Sequence, residues 1–365
     1  MIIKILGHDG FYLANLNEGD FQNLSIESCN PGGWTVASFQ VPRDIRQYWE
    51  EFCYKNWVLI NEGAITYYYG FINKVRRTLK PDMFELECQG WSAQLNELGT
   101  QADITAGGGG YLASTFITSV ILADLDSYIS QGTIETDDYS YPNGTSFEFS
   151  KWTSYFDCLE QLNQGNNYDW GVWENAGLSF TKKAAGVIDW YIRTDDCNDL
   201  EISYDSDKLC NRLVISYTQD GSHQQSFTLN DTASQIKYGV LTKLITIPGK
   251  IITGSTTEPY TGAYLVGHTY LDAYSTLQVA AQFTTKRVYD TLGVEQHLAE
   301  VKAGQNIQIT DWLPTEEAIS AVNDIATFQI KATKYDHSKY TLDVTPTEFI
   351  PAVEIKLARL EATGY

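Results

Sequence analysis

"WTVASFQV", residues 34 to 41, places Ala37, Phe39 and Val41 on one side of an extended chain, with Ser38 and Gln40 between them. "MFELECQGW", residues 83 to 91, does the same with Phe84, Leu86 and Cys88 against Glu85, Glu87 and Gln89. A period of two with one wet face predicts antiparallel sheet or barrel. Between these stretches, "AITYYYGFINKV" (64–75) puts Ile65, Tyr67, Tyr69 and Phe71 on one face, with Gly70 as a bulge or a point of close backbone approach. The first hundred residues therefore read as strands, interrupted by one short helix after Pro42, where Ile45, Tyr48, Trp49 and Phe52 share a face.

The bulk properties set the frame for those strands. At 365 residues the chain exceeds one ordinary core and predicts two or three domains. A hydrophobic content of 43% with 19% charged residues is that of a folded protein. No run of about 18 apolar residues exists, and "MIIKILGHDG" turns polar too early for a secretory leader, so a soluble protein made in a cytoplasm is expected. The formal charge of −21 argues against specific nucleic-acid binding, because such a potential repels phosphates. The six cysteines have no C-x-x-C pair and no zinc spacing, which predicts buried free thiols.

Further along, "TAGGGGYLAS" (105–114) breaks regular structure before an apolar helix through Phe116, Val120, Ile121 and Leu125. The glycine run lacks the Lys and Ser/Thr that a phosphate loop needs, so a hinge or linker is expected there. "KWTSYFDCLEQLNQGNNYDWGVWENAGLSF" (151–180) reads as a helix capped by Ser150 and ended by Gly165, burying Trp152, Tyr155, Phe156, Leu159 and Leu162. A hairpin follows, with Tyr168, Trp170 and Val172 on its apolar face before Leu178 and Phe180. Strands return in "RLVISYTQDGSHQQSFTL" (212–229), with Leu213, Ile215 and Tyr217 on one face and Asp220–Gly221 in the turn. The second pair, "TFQIKATKYDHSKYTLDVTP" (327–346), has Phe328 and Ile330 before its turn and Tyr340, Leu342 and Val344 after it. Between the pairs, Thr269 caps a helix that buries Leu271, Tyr274 and Leu277, and "VEIKLARLEATGY" (353–365) reads as a short amphipathic helix or tail.

Carboxylates beside tryptophans in 151–180 are what a sugar-cleaving site requires. Spacing instead sends Asp157 and Glu160 of the helix and Glu174 of the hairpin turn to the solvated side, and leaves Trp173 off the hairpin's apolar face, as the one candidate ligand contact. The histidines sit singly in polar or turn-like surroundings, without H-E-x-x-H or G-x-S-x-G, so no catalytic residue and no cofactor are assigned. The acidic run "TDDCNDLEISYDSD" (194–207) offers calcium candidates Asp195, Asp196, Asp199, Asp205 and Asp207. It lacks the glycine and the terminal glutamate of an EF-hand, which favours a solvated loop.

Taken in order, these motifs resemble a family. The "GGW-x-x-A-S-F-x-V-P" stretch (Gly32, Gly33, Trp34, Ala37, Ser38, Phe39, Val41, Pro42) and "G-W-S-x-x-L" (Gly90, Trp91, Ser92, Leu95) resemble the tail hub proteins of long-tailed bacteriophages. So do the hairpin Tyr168, Asp169, Trp170, Val172, Gly177, Leu178 and Phe180, and the strand "KLCNRLVISY" (208–217). The order of motifs spans most of residues 30 to 345 and carries the resemblance.

That resemblance implies an α+β, mainly β chain with two tail-tube-like β-barrel domains plus smaller α/β domains. Residues 1–98 would form the first barrel and 99–190 an α/β domain of helix plus hairpin. Residues 191–350 would form the second barrel, with an α/β segment inserted around 240–300, and 351–365 a helix or tail. It further implies a homotrimeric, non-enzymatic hub at the virion tail tip, assembled in the host cytoplasm, below the distal tail ring and against the end of the tape-measure protein. Tail fibres or receptor-binding proteins would be neighbours, and DNA would pass through the lumen without specific binding or membrane insertion of the chain. The alternatives are a carbohydrate-binding or cell-wall-cleaving tail protein and the hub of a related contractile injection system.

Overall fold

The computed structural model describes residues 1–42, 45, 50–79, 82–105, 113–125, 128–135, 148–163, 168–182, 187–205, 209–219, 223–251, 267–268, 270–271, 274–275, 278–310 and 327–346. The glycine run 107–110, Tyr48, Trp49, Gly165, the Asp220–Gly221 turn, Thr269, Leu277 and the 351–365 segment lie outside the described residues. The chain is mainly β.

The first region is β1 (Ile2–Leu6), β2 (Tyr12–Asn17), β3 (Gln22–Cys29), β4 (Gly32–Pro42), β5 (Trp57–Glu62), β6 (Ile65–Leu79) and β7 (Asp82–Gly90). They pair antiparallel in the order β2-β1-β5-β6-β7-β4-β3. The expected faces form on β4 and β7: Ala37, Phe39, Val41, Leu86 and Cys88 are buried, and Phe84 packs partly buried against them. β6 departs from the one-face expectation. Ile65 is exposed, whereas Tyr67, Tyr68, Phe71 and Ile72 are all buried, because two different cores cover this strand. Gly70 is a point of close approach: a Cβ there would stand 2.2 Å from the Gln89 carbonyl oxygen. After Pro42, Phe52 is buried and Ile45 packs on the core.

The next region contains α1 (Gln94–Glu97), β8 (Ile104–Thr105), α2 (Ala113–Phe116), α3 (Leu122–Leu125), β9 (Ser130–Ile134), β10 (Glu148–Phe149), α4 (Tyr155–Asn163), β11 (Tyr168–Val172) and β12 (Gly177–Lys182). A π-helical turn, Ile117–Ile121, joins α2 to α3, and Phe116, Ile121 and Leu125 are buried as expected. β11 and β12 form the expected hairpin, with Trp170 opposite Phe180 and rings of Tyr168 and Phe180 stacked at 5.3 Å.

Helix α4 corrects the sequence reading at its start. Ser154, not Ser150, is the cap: its Oγ accepts from the Asp157 backbone N–H at 3.0 Å. Residues before it are held in a turn, where Trp152 N–H donates to Thr100 O at 2.8 Å and Trp152 adopts φ 71°. Trp152 is consequently exposed, and the buried stripe is Tyr155, Cys158, Leu159 and Leu162, with Phe156 partly buried.

The remaining elements are β13 (Trp190–Arg193), β14 (Cys197–Asp205), β15 (Arg212–Gln219), β16 (His223–Asn230), α5 (Thr232–Tyr238), β17 (Thr242–Ile251), β18 (Gln278–Thr285), β19 (Val288–Tyr289), β20 (Glu295–Gln296), β21 (Asn306–Thr310), β22 (Thr327–Asp336) and β23 (Thr341–Pro346). β22 links the halves: Thr327–Gln329 pair with β21, and Ala332–Asp336 pair with Ser25–Cys29 of β3. From β22 the sheet continues through β23 and β18 to β14. Phe328, Ile330, Leu342 and Val344 are buried as expected, but Tyr340 lies in the turn at φ 51° and is exposed.

One core therefore joins the first seven strands to β13, β18, β19 and β21–β23, from Ile3 to Val344. A second gathers α1–α4 and the β11–β12 hairpin, and includes Phe71 of β6. A third belongs to a separate three-stranded sheet, β16-β15-β17, with Leu213, Ile215 and Tyr217 buried beneath Tyr270, Leu271 and Tyr274. Burying each such large apolar side chain contributes about 1.5–3 kcal/mol.

Candidate functional site

The first two cores meet where the β3–β4 turn touches the β11–β12 hairpin. Gly32 and Gly33 run parallel to Gly171 and Val172. Gly33 has φ +97°, and a Cβ on it would stand 2.3 Å from the Val172 carbonyl oxygen, so the position accepts glycine alone. Two backbones pressed this closely bring their following tryptophans together: Trp34 is buried and meets half-buried Trp173 edge to face at 5.7 Å. The ammonium of Lys302 caps both rings, 5.3 Å from Trp34 and 5.9 Å from Trp173, and is ion-paired with Glu174.

Beside this seam lies a cleft of 330 Å³, bordered by Asn30, Asp169, Trp173, Glu174, Lys302 and Asn306 among others. Several of its polar groups are engaged within the fold. Gln329 Nε2 donates to Asp169 at 2.7 Å, and the Asn306 backbone N–H donates to Asp189 at 2.7 Å. Gln305 Oε1 accepts from both Trp190 Nε1, at 2.8 Å, and the Lys302 N–H, at 2.7 Å.

Each of the four carboxylates in 151–180 has a structural partner. Asp157 accepts from Ser154 Oγ at 2.7 Å. Glu160, expected in solvent, is half-buried and accepts from Trp170 Nε1 at 3.0 Å. Burial raises the Glu160 carboxyl above its ordinary value, the indole N–H opposes this, and Asp157 and Asp169 add to it. Burial, then Glu160, pushes the neighbouring Cys29 thiol up to about 11. Tyr155 donates to Asp124, and burial followed by that bond holds its phenol protonated. These groups are tuned away from ionisation by desolvation, which fixes packing rather than poising a nucleophile.

The other sequence candidates are dispersed. Asp195 is exposed, whereas Asp196 accepts from Tyr289 Oη at 3.0 Å and lies 3.8 Å from Arg287. The Asp199 and Asp205 side chains and Asp207 lie outside the described residues. Among the described residues no three metal-capable side chains gather. The thiols differ from expectation at Cys53, which is exposed; Cys88, Cys158 and Cys210 are buried.

His297 and His337, expected to be solitary, both have ring partners. His297 stacks on Tyr67 at 4.8 Å, and His337 Nδ1 lies 3.1 Å from Tyr335 Oη. Lys302 carries no local sequence signal, because its partner Glu174 is 128 residues away, and the rings around His297 come from β6, β22 and the turn after β22. At the seam the sequence singles out Trp173, and Gly32 and Gly33 only as part of the family-like motif.

No protein-family model matches the chain, and no curated protein matches it in sequence. Solved structures match it in fold. The chain is similar to prophage tail protein gp18 from Listeria monocytogenes EGD-e, with a TM-score of 0.58 at 12% identity over 99% of this chain and 100% of that one. It is similar to the 43 kDa tail protein of prophage MuSo2 from Shewanella oneidensis, at 0.58 and 11% identity over 97% and 99%. It is also similar to the tail protein from Neisseria meningitidis MC58, at 0.56 and 10% identity over 96% and 98%. The fold of this chain is the fold of these prophage tail proteins.

Proposed function

We propose that the chain is a structural component of a phage tail tip: a homotrimeric hub that extends or closes the tail tube and encloses the channel through which DNA leaves. The observation that carries this is whole-length agreement in fold with three prophage tail proteins, over at least 96% of the chain. In this proposal residues 1–98 and 191–350 are the two barrel domains and 99–190 the α/β domain, with the distal tail ring, the tape-measure protein and fibres or receptor-binding proteins as neighbours. The charge of −21 supports a lumen that DNA phosphates pass without adhering. A non-catalytic role is supported by the internal partners of Asp157, Glu160, Asp169 and Glu174. Among the described residues no helix is long and apolar enough to cross a membrane.

Gold-labelled antibody against the chain, applied to tails from induced particles, is expected to mark a single end distal to the head. Label along the whole tube, or none on intact tails, would overturn the proposal. A hub of a related contractile injection system has the same architecture, and genes for capsid and packaging beside this one separate the phage from it.

The cleft beside half-buried Trp173 favours one second reading, a carbohydrate contact at that ring. Fluorescence titration of wild type and Trp173→Phe with cell-wall glycans tests it. Equal, unsaturating curves for both proteins would remove it.

A further inference from the structure

Four chain reversals meet at one end of the large sheet: Glu18 after β2, Glu62 at the end of β5, the β19–β20 hairpin, and the β22–β23 turn with Tyr340. His297 is their pivot. Its ring stacks on Tyr67 and meets the edges of Tyr335 at 5.4 Å and Tyr340 at 5.6 Å. Its Nδ1 accepts the Ala299 N–H at 3.1 Å, which holds the ring, and Glu300 accepts from the His297 backbone N–H at 3.4 Å, which holds the chain at that residue. Tyr67 Oη donates to Glu62 at 3.2 Å, and the Met1 amine lies 3.7 Å from Glu18 and 3.9 Å from Glu62.

Outside this aromatic pivot the surface is apolar and acidic together. Leu292 is 86% exposed, Val294 53%, Ile65 45% and Tyr340 42%. Burial, then the fields of Glu295, Glu62 and Glu300, raise the Tyr340 phenol, which sets those carboxylates around the same ring. Glu295 has Arg287 at 3.8 Å, and His337 stands 3.8 Å from Glu18. A lone exposed leucine needs no explanation, but apolar side chains on converging loops rimmed by glutamates match the make-up of a protein interface.

We propose that this end is a docking face for a second protein's segment that carries lysine or arginine among apolar side chains. Leu292, Val294, Ile65 and Tyr340 supply the area removed from water, and Glu18, Glu62 and Glu295 set the orientation by charge complementarity. The rigid His297 pivot holds the loops in place before binding, which lowers the ordering cost. The face does not require the chain to form a ring, so it stands apart from the tail-hub proposal.

The test uses the full chain and three labelled peptides: alternating lysine and leucine, all lysine, and alternating serine and leucine. Three proteins are compared: wild type, Glu18→Gln/Glu62→Gln/Glu295→Gln, and a control with the same charge removed elsewhere, Glu85→Gln/Glu87→Gln/Glu97→Gln. Wild type and control are expected to bind the lysine–leucine peptide alike, and the first triple variant about tenfold more weakly. Leu292→Ser is expected to weaken it severalfold and to leave the all-lysine peptide unaffected. Equal weakening in both triple variants would reduce the attraction to net charge and overturn the proposal, as would absence of binding to wild type. Loss of self-association in the first triple variant alone, seen by sedimentation, would assign the face to a second copy of the chain and overturn it too.

Discussion

The hairpin β11–β12 and the sheet β16-β15-β17 are both small β units attached to the same large body, yet they are joined to it differently. The hairpin is sealed in by backbone: β11 pairs with β4, and Gly33 lies against Val172 without room for a methyl group. The three-stranded sheet has its own core and shares no strand pairing with the large sheet among the described residues. It also leaves Ile236 82% exposed on α5, while the buried stripe of α4 is closed on all sides. Apolar residues in the first unit are spent on the chain's own interior, whereas some in the second face outward.

The largest expected effect breaks the seam. Gly33→Val forces a side chain into the Val172 backbone at a positive φ and should cost about 4 kcal/mol or more, read as loss of the cooperative unfolding transition. Gly239→Ala, also at positive φ (+76°) but with nothing within 4 Å, should cost only about 1–3 kcal/mol. Equal losses at the two sites would remove the contrast.

Next in size is the helix comparison. Leu159→Ala in α4 should lower stability by about 2–5 kcal/mol in urea titrations. Ile236→Ala in α5 should stay within about 0.5 kcal/mol. Lys302→Met sharpens the seam further: it removes the ammonium over two indoles and a partly exposed ion pair, for about 1 kcal/mol that shrinks in high salt.

The smallest effect is on pH dependence. Burial lowers the His297 value, opposed by Glu62 and Glu18 and assisted by His337 and the Met1 amine. The unfolded chain then binds the proton first, so stability falls as pH drops through about 6.5 and levels off below the folded value. Tyr67, Tyr335 and Tyr340 also face the ring, and Glu300 binds the His297 backbone N–H. His297→Asn should flatten that slope in denaturation midpoints measured from pH 8 to 5; an unchanged slope would place the titration elsewhere.

Strand faces were legible wherever period two held, as at Ala37–Val41, Leu86–Cys88 and Leu213–Tyr217, since alternation alone decides which side is wet. Trp152 was not legible, because the Thr100 contacts that unwind residues 150–153 come from fifty positions away and pass the cap to Ser154. Glu160 departs from its expected solvated side because its indole partner arrives on the next element, where helical spacing has no bearing. Tyr340 fits a strand by spacing, but Asp336 accepts from Ser338 Oγ and the Lys339 N–H and turns the chain there. At the candidate seam, Trp173 and the glycine pair were visible in sequence. Lys302, which covers that tryptophan, was not, since 128 residues separate it from Glu174.

The central claim is a tail hub built from three copies of this fold. Size-exclusion chromatography with light scattering, followed by negative-stain imaging, tests it most directly. The account predicts a particle of three times 41.0 kDa that appears as a threefold ring with a central opening. A 41.0 kDa monomer across the whole concentration range, with no rings on the grid, would contradict it.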